Sequence, residues 1–291
     1  MTVTIIICTR NRAEQLGATL ESVRVAAIPP GWAVEQIVVN NGSTDQTGEV
    51  IKKAQAHNPL LKCLVEPRAG LSHARNTGLR EAQGQVILFT DDDVRVPTDW
   101  IKGMCGPIVQ GEADAVQGGI KIAPHLERKW LTGSLRVWVA GVEHPTNAPQ
   151  GLVGANMAFR REAIGVAGNF DIRLGPGAAG FFDDTVFGWA LQRAGWKFLY
   201  RPEVAVIHHF SPDRLALKSY IRTAARMAWS HALVINDIER SQSAPKFPPV
   251  VFQVPGFIFR CVTQLYWLMK DRRPDAGFIV RYYQLRLWWA L

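Results

Sequence analysis

Apolar and polar residues follow two different periods along the first hundred positions of the chain. Short runs rich in β-branched residues predict strands, and segments with apolar positions at helical spacing separate them. The run Val86-Ile87-Leu88-Phe89 has no polar break, which is typical of a strand covered on both faces. This alternation predicts an α/β fold with a Rossmann-like, mixed and mostly parallel sheet flanked by helices. We predict strands at residues 3–8, 36–40, 61–66 and 85–90, and helices at residues 13–26, 46–56 and 72–82.

The pattern becomes less regular after residue 113. The same criteria predict further strands at residues 115–122, 155–160, 197–200 and 205–208, and a helix that begins near Asp183. Because these elements complete one sheet, we expect one domain at residues 1–210, with halves at about 1–113 and 114–210. Residues 211–291 then form a helical appendage.

The appendage differs from the rest of the chain in charge and in aromatic content. The net charge is +8, and residues 211–291 contain 12 Lys and Arg against 5 Asp and Glu, with 13 of the 28 aromatic residues. A basic, aromatic helical segment is typical of proteins that bind an anionic membrane surface. Nucleic acid is the competing anionic partner, but no recognition motif accompanies the charge. We therefore expect peripheral membrane contact and no nucleic-acid binding.

Three other features bear on location. The first residues lack the basic flank and long apolar run of a signal peptide, so we expect a cytoplasmic protein at the inner face of the cell membrane. Residues 250–269 are apolar, but Gln253, Arg260 and Gln264 interrupt them, which predicts an interfacial or buried segment beyond a linker at 241–249. The four cysteines have no paired spacing, so neither a disulfide framework nor a zinc site is expected.

Polar residues follow three of the predicted strands where each strand ends. Because the carboxyl ends of parallel strands share an edge, we expect one polar crevice there. A hard divalent cation, Mn²⁺ or Mg²⁺, would explain why like charges cluster in it. Each segment alone is also an ordinary polar turn or a helix cap. The segments are Thr9-Arg10-Asn11-Arg12, Asn40-Asn41-Gly42-Ser43-Thr44-Asp45 and Asp91-Asp92-Asp93.

Strand alternation makes a further prediction for the aspartates. If the strand continued through the triplet, Asp91 and Asp93 would point to one side of the sheet and Asp92 to the other.

Several motifs occur in one order along residues 2–210. In this order they make the chain similar to glycosyltransferase family 2, the inverting enzymes of the GT-A fold. The motifs are Ile7-Cys8-Thr9-Arg10-Asn11-Arg12, Val38-Val39-Asn40-Asn41-Gly42-Ser43-Thr44-Asp45, Gly70-Leu71-Ser72-His73-Ala74-Arg75-Asn76-Thr77-Gly78-Leu79, Phe89-Thr90-Asp91-Asp92-Asp93, Gly154-Ala155-Asn156-Met157-Ala158-Phe159-Arg160, and Asp183-Asp184 heading a helix that ends in Arg193-Ala194-Gly195-Trp196.

The resemblance implies that the first half of the domain binds a nucleotide-diphosphate sugar, with a UDP-sugar favoured. Thr9, Arg12 and the Asn40 turn would hold the base and ribose, and Asp91 and Asp93 would form the DxD element that binds the metal and diphosphate. In the family the second strand usually ends in Asp, so Asn40, whose amide both donates and accepts, leaves the base open. The other donor-side candidates are Arg10, Asn11, Asn41, Ser43, Asp45, Arg75, Asn76 and Asp92.

His208 resembles the family's late histidine, which can approach the metal or the diphosphate. A purely structural histidine stays open as the alternative at this position.

The resemblance also implies an acceptor side in the second half of the domain. There, Asp184 would be the catalytic base for inverting transfer to a hydroxyl of a lipid-linked or polysaccharide glycan of the cell envelope. Adjacent helical residues point about 100° apart, so only one of Asp183 and Asp184 is expected to reach that hydroxyl. Asp183 stands where the family commonly has Glu. The candidates for contact with the acceptor or the donor sugar are Gly154, Ala155, Asn156 and Asp183.

Two other functions stay open at this point. One is a nucleotide-sugar or membrane-surface binding protein that kept the fold without turnover, although the retained Asp91, Asp93 and Asp184 favour an enzyme. The other is a sugar-nucleotide pyrophosphorylase, which would need a glycine-rich phosphate loop after the first strand. The chain has no glycine there until Gly17.

Overall fold

The computed structural model describes residues 1–129, 131, 136, 138–142 and 151–241 of the chain. Within them, an eight-stranded sheet has the order β3-β2-β1-β4-β7-β6-β8-β5. The strands are β1 Thr2–Thr9, β2 Ala33–Asn40, β3 Leu61–Val65, β4 Val86–Asp91, β5 Val94–Arg95, β6 Ala115–Ile122, β7 Asn156–Arg160 and β8 Phe198–His208. The helices are α1 Ala13–Arg24, α2 Thr47–His57, α3 Leu71–Glu81, α4 Trp100–Val109, α5 Ala163–Ala167, α6 Asp183–Arg193 and α7 Leu217–Ser241.

The first half of the sheet is parallel and the second half is mixed. β1 pairs in parallel with β2 and β4, and β3 pairs in parallel with β2. β7 runs antiparallel to both β4 and β6, whereas β6 and β8 are parallel. This topology confirms the predicted mixed, mostly parallel sheet with flanking helices.

Register aligns the strand ends that carry the polar motifs. Thr9 at the end of β1 pairs with Asn40 at the end of β2, and Cys8 pairs with Asp91 at the end of β4. The three polar segments therefore leave the sheet at the same level and on the same edge.

The core lies on both faces of the sheet, as the unbroken apolar runs predict. Ile5 and Ile7 pack with α1, α2 and α4 on one face, and Ile6 packs with α3, α5 and α6 on the other. All three side chains are buried. Full burial of such a side chain contributes about 1.5–3 kcal/mol, so β1 anchors both layers.

One pair of predicted strands is a single strand in the structure. β8 contains residues 198–200 and 205–208 of the two predicted strands, and its pairing with β6 shifts register between Gly118 and Gly119. A Cβ on Gly119 would lie 2.3 Å from the carbonyl oxygen of Pro202. Glycine therefore lets the irregular part of β8 approach β6, and the strand continues across the segment that looked like a break.

The appendage is described only through its first helix. Ser230 on α7 accepts a hydrogen bond from the Phe181 N–H at 3.1 Å. In the described part of the chain, no helix is both long enough and apolar enough to cross a membrane. Of the linker expected at residues 241–249, only Ser241 is described, as the last residue of α7. The segment expected at residues 250–269 lies outside the described residues.

Candidate active site

The loops after β1 and β2 are joined to each other by hydrogen bonds. The Asn11 N–H donates to Ser43 Oγ at 3.0 Å, and the Thr44 N–H donates to Asn11 Oδ1 at 2.7 Å. Within the second loop, the Ser43 N–H donates to Asn40 Oδ1 at 2.9 Å. Asn11 has a φ of 53°, a left-handed conformation that Asn tolerates better than most residues. The two loops thus form one polar wall at the edge of the sheet, with Thr9 buried at its base and Arg10 exposed.

Two of the candidate donor-side residues hold this wall in shape. Asp45 accepts from the N–H groups of Ala13 and Thr47, at 3.3 and 3.0 Å, so it caps the starts of α1 and α2. The Thr47 hydroxyl bond holds the pKa of Asp45 below its usual range. Asn41 is buried, and its amide bonds the Glu66 and Arg68 carbonyls and the Gly70 N–H. These contacts correct the expectation that the Asn41 side chain faces a nucleotide.

The aspartate triplet does not alternate as a continued strand would. β4 ends at Asp91, so Asp92 and Asp93 lie in a turn, and both face the guanidinium of Arg12. Arg12 Nη1 lies 3.3 Å from Asp92 Oδ1 and also contacts Asp93 Oδ2. The alternation prediction is therefore wrong for Asp92, because the strand geometry on which it depends stops one residue earlier.

His208 lies beside Asp93. Its Nε2 is 3.2 Å from Asp93 Oδ1, and its Nδ1 is 2.9 Å from the Val139 carbonyl oxygen. Since a carbonyl only accepts, Nδ1 carries the proton of that bond and Nε2 faces the carboxylate. Burial raises the pKa of Asp93, but His208 and Arg12 outweigh it and hold the pKa well below its usual range. The neighbouring carboxyl of Asp92 has its pKa raised to about 7, mainly by burial.

The donor atoms at this edge fit a hard divalent cation that shares its ligands with a phosphate. Asp91, Asp93 and His208 offer carboxylate oxygens and an imidazole nitrogen, which suit Mn²⁺ or Mg²⁺. The Asp91 side chain is 35% exposed, so it opens to the crevice. Over the part of the chain that the structure describes, no three His, Cys, Asp or Glu side chains are placed to hold a metal ion together. A cation at this edge would therefore need oxygens of a substrate diphosphate besides these side chains.

Asp183 and Asp184 face in different directions at the start of α6, as expected for adjacent helical residues. Asp184 is partly exposed, and it accepts from the Gly154 N–H through Oδ2 and from the Thr185 N–H through Oδ1, both at 2.7 Å. Asp183 is 3% exposed and bonds Arg75. Burial raises the pKa of Asp183 to about 6, although Arg75 opposes the shift. Of these two aspartates, only Asp184 can therefore present its carboxylate to the crevice.

Two other predicted contact residues serve the fold instead. Asn156 is fully buried: its amide donates to the Gly119 and Val204 carbonyls at 2.9 Å and accepts from Trp100 Nε1 at 2.8 Å. The backbone carbonyl of Ala155 accepts the Thr90 hydroxyl at 2.8 Å. The Asn156 side chain has no group left for a sugar, which corrects the expectation made for it.

Arg75 and Asn76 on α3 make their side-chain contacts outside the polar wall. The Asn76 amide bonds both backbone groups of Phe170, at 2.8 and 2.9 Å, so it ties α3 to the acceptor half. Arg75 is buried between Asp91 and Asp183. Neither side chain lies where the sequence argument put it.

Sequence reasoning missed Arg68, which the loop after β3 brings to the same edge. The buried carboxylate of Glu66 accepts from Arg68 Nε and Nη2, at 2.9 and 2.8 Å, and from the Thr77 hydroxyl at 2.7 Å. The signal was available, because Arg68 follows a predicted strand as closely as the other polar segments do.

Fold and site together define a class of protein. A mixed sheet with this edge of carboxylates is the architecture of GT-A glycosyltransferases. The solved structure of the mannosyltransferase PcManGT from Pyrobaculum calidifontis, in complex with GDP-Man and Mn²⁺, has a TM-score of 0.63 and 25% sequence identity, covering 85% of this chain and 66% of that one. The family model described as glycosyl transferase family 2 matches residues 4–166, and the chain belongs to that family. It is therefore a glycosyltransferase, as the motifs predicted.

Two curated relatives differ in how much of their length is shared. Glycosyltransferase GlyA of Streptococcus pneumoniae serotype 4 is 32% identical over 116 residues, which is 40% of this chain and 16% of GlyA. The succinoglycan biosynthesis protein ExoM of Rhizobium meliloti is 26% identical over 237 residues, 79% of this chain and 74% of ExoM.

Variants of the neighbours Asn40 and Asn41 test whether the Asn41 side chain holds the loop backbone in place. We expect Asn41→Ala to lower the free energy of unfolding by about 1–3 kcal/mol, because it leaves a buried N–H and two carbonyls without partners. The matched change Asn40→Ala removes one bond, to the Ser43 N–H, and should cost less than about 1 kcal/mol. Urea unfolding measures both. Equal effects would contradict the assignment of Asn41 to the loop framework.

Proposed function

We propose that this chain is an inverting, metal-dependent glycosyltransferase that moves a sugar from a nucleotide-diphosphate sugar to a hydroxyl of an envelope glycan. The proposal depends mainly on one observation: two sets of carboxylate side chains lie at one edge of the sheet. Asp91, Asp93 and His208 lie on the donor side, and Asp184 lies on the acceptor side, linked through Arg75 and Asp183. The acceptor class, a polysaccharide or a lipid-linked glycan, is supported by the name of ExoM, a succinoglycan biosynthesis protein.

On the donor side, three side chains would hold Mn²⁺ or Mg²⁺. Asp91, Asp93 and His208 would be the ligands, and such a cation would supply positive charge for the departing diphosphate. The Nδ1 bond from His208 to the Val139 carbonyl supports this role, because a metal-binding histidine usually donates its other ring N–H to such a partner. Arg12 adds a guanidinium at the same edge, where it can pair with a phosphate.

The base pocket is the less defined part of the donor site. Asn40 Oδ1 accepts from the Ser43 N–H, which leaves the amide NH₂ of Asn40 as the donor for a base. A donor can bind a carbonyl of uracil or of guanine equally. We favour a UDP-sugar from the family resemblance, and a GDP-sugar is the second candidate because PcManGT is bound to GDP-Man.

On the acceptor side, Asp184 accepts the proton of the attacking hydroxyl. The oxygen then forms a bond to the anomeric carbon as the bond to the diphosphate breaks on the opposite face, and the nucleotide diphosphate leaves. The two backbone N–H bonds orient the carboxylate. Oδ1 also accepts from the Thr185 hydroxyl at 3.3 Å, and Oδ2, with one bond, keeps a lone pair for that proton.

The donor class follows from a panel of nucleotide sugars. We expect one nucleotide family among UDP-, GDP- and dTDP-sugars to raise the melting temperature with Mn²⁺ or Mg²⁺ and not with chelator. Ligand at a hundred times its Kd stabilises by about 2.7 kcal/mol. Asp93→Ala should abolish the metal-dependent part of the shift. If no nucleotide sugar stabilises the protein with any metal, the donor assignment is wrong.

Asp184→Asn separates binding from turnover. The variant should bind the donor as the wild type does but transfer sugar about 10²–10⁴-fold more slowly, because the amide cannot take the proton. Asp99→Asn, at an exposed aspartate before α4, is the matched control and should keep the wild-type rate. Turnover of Asp184→Asn at the wild-type rate would refute the base. Donor binding by a wild type that never releases nucleotide would instead favour a protein that binds without turnover.

The outer face of α7 supports peripheral membrane contact by residues 211–291, the proposed appendage to a catalytic domain at 1–210. Lys218, Arg222 and Trp229 are exposed and share one face at helical spacing, while Ala228 and Ser230 are buried and Arg226 packs beside Gly180. Trp229 is 44% exposed. Basic side chains beside an exposed Trp suit an anionic lipid surface, at the inner face of the cell membrane.

Liposome binding tests this contact. Replacing Lys218 and Arg222 together by Gln removes two charges worth about 1 kcal/mol each near anionic lipid, so binding to phosphatidylglycerol vesicles should weaken roughly 30-fold. The control replaces Lys52 and Lys53 on α2 by Gln, with no expected effect. Equal binding of both double variants in a sedimentation assay would contradict the role of α7.

A further inference from the structure

Arg75 on α3 lies buried between carboxylates from the two sides of the crevice. Its Nη1 donates to Asp183 Oδ2 at 2.5 Å, and its Nη2 lies 3.9 Å from Asp91 Oδ1. The guanidinium also packs over Phe170 and Phe89, with Cζ 5.4 and 6.0 Å from the two ring centroids. Since only 4% of the side chain is exposed, Arg75 has almost no surface with which to bind a nucleotide directly.

The guanidinium fills the space that a side chain at position 154 would occupy. A Cβ on Gly154 would lie 1.7 Å from Nη2 of Arg75. The N–H of the same glycine donates to Asp184 Oδ2 at 2.7 Å. Arg75 therefore packs directly against the residue whose backbone orients Asp184.

Asp183 connects Arg75 to Asp184 by a second route. It precedes Asp184 at the start of α6, and its carboxylate is enclosed on the far side by the backbone of Gly175. A Cβ on Gly175 would lie 2.7 Å from Asp183 Cγ, and the glycine has a φ of 81°. With Arg75 on one side and this loop on the other, the first turn of α6 has little freedom to move.

Stability alone does not account for this arrangement. Removing two charges from water costs about as much as their attraction returns, and apolar side chains of similar volume often replace a buried ion pair without loss. A buried arginine that contacts carboxylates from both halves of the crevice is better explained by the geometry that it imposes.

We propose that Arg75 is a positioning residue that fixes the carboxylate of Asp184 relative to Asp91. It acts through the ion pair with Asp183 and through its contact with Gly154, and it does not touch the substrate. The inference rests on the proposed function, because the distance it sets is the one between the donor diphosphate and the base. A misplacement of about 1 Å in such a site can cost about 10²-fold in rate.

The test replaces the ion pair by apolar side chains. Arg75→Met alone leaves Asp183 buried without its partner and should lower the melting temperature. The double variant Arg75→Met with Asp183→Leu should recover most of that loss, yet its kcat should stay about 10²-fold below wild type. Its KM for the nucleotide sugar should stay close to the wild-type value, because the polar wall formed by the loops after β1 and β2 is intact.

Two results with the double variant would overturn the inference. Recovery of kcat together with the melting temperature would mean that the pair is purely structural. A rise in the KM for the donor that accounts for the whole loss would mean that Arg75 binds the nucleotide sugar. A wild type with no transfer and no nucleotide release would instead refute the proposed function and is seen before any variant is made.

Four single variants complete the design. Arg75→Lys keeps the charge with a smaller head group, so its kcat should lie between those of wild type and the double variant. Gly154→Ala should displace the guanidinium and reproduce the loss of kcat, whereas Gly165→Ala on α5, where a Cβ meets nothing within 4 Å, should not. Asp183→Asn keeps a hydrogen-bonding partner for Arg75 but removes the charge of the ion pair, so its kcat should also lie between those of wild type and the double variant. A kcat clearly below that of the double variant would make Asp183 the base and overturn the inference.

Discussion

Carboxylates that lie close together out of water are the constraint on which this site depends. Asp92, Asp93 and Asp183 are all buried, and moving a charge from water into a protein costs several kcal/mol unless a partner offsets it. Arg12, Arg75 and His208 are those partners, and each comes from a different element of the fold. The sheet and helices must therefore bring distant parts of the chain to one edge before the site can exist.

Arg12 and Arg75 contact the carboxylates of the crevice from opposite sides. Arg12 has a side chain 39% exposed and contacts Asp92 and Asp93 from the open side, where a phosphate can reach it. Arg75 approaches Asp91 and Asp183 from inside the protein, with aromatic rings on its faces. One cation is thus available to a ligand and the other is part of the framework. The donor and acceptor halves share a buried contact as a result.

Much of this arrangement was readable from local sequence. The runs that form β1 and β4 predict strands because both of their faces are buried, and polar segments after parallel strands must meet at one edge. Side-chain roles were less readable, since Asn41 and Asn156 bond backbone groups that lie far away in the sequence. An amide that satisfies buried carbonyls looks the same in a sequence as one that faces a sugar. Arg75 and Asp183 are 108 positions apart, and only the tertiary fold brings the two side chains together.

The proposed reaction is a single displacement across the crevice, with Asp184 as the base. The most direct test is the anomeric configuration of the sugar in the first product, measured by proton NMR before mutarotation. The donor is the nucleotide sugar that raises the melting temperature of the protein. The account predicts inversion, so that an α-linked donor yields a β-linked product or β-sugar released to water. Retention of configuration would contradict it, because one displacement from the face opposite the diphosphate inverts the anomeric carbon.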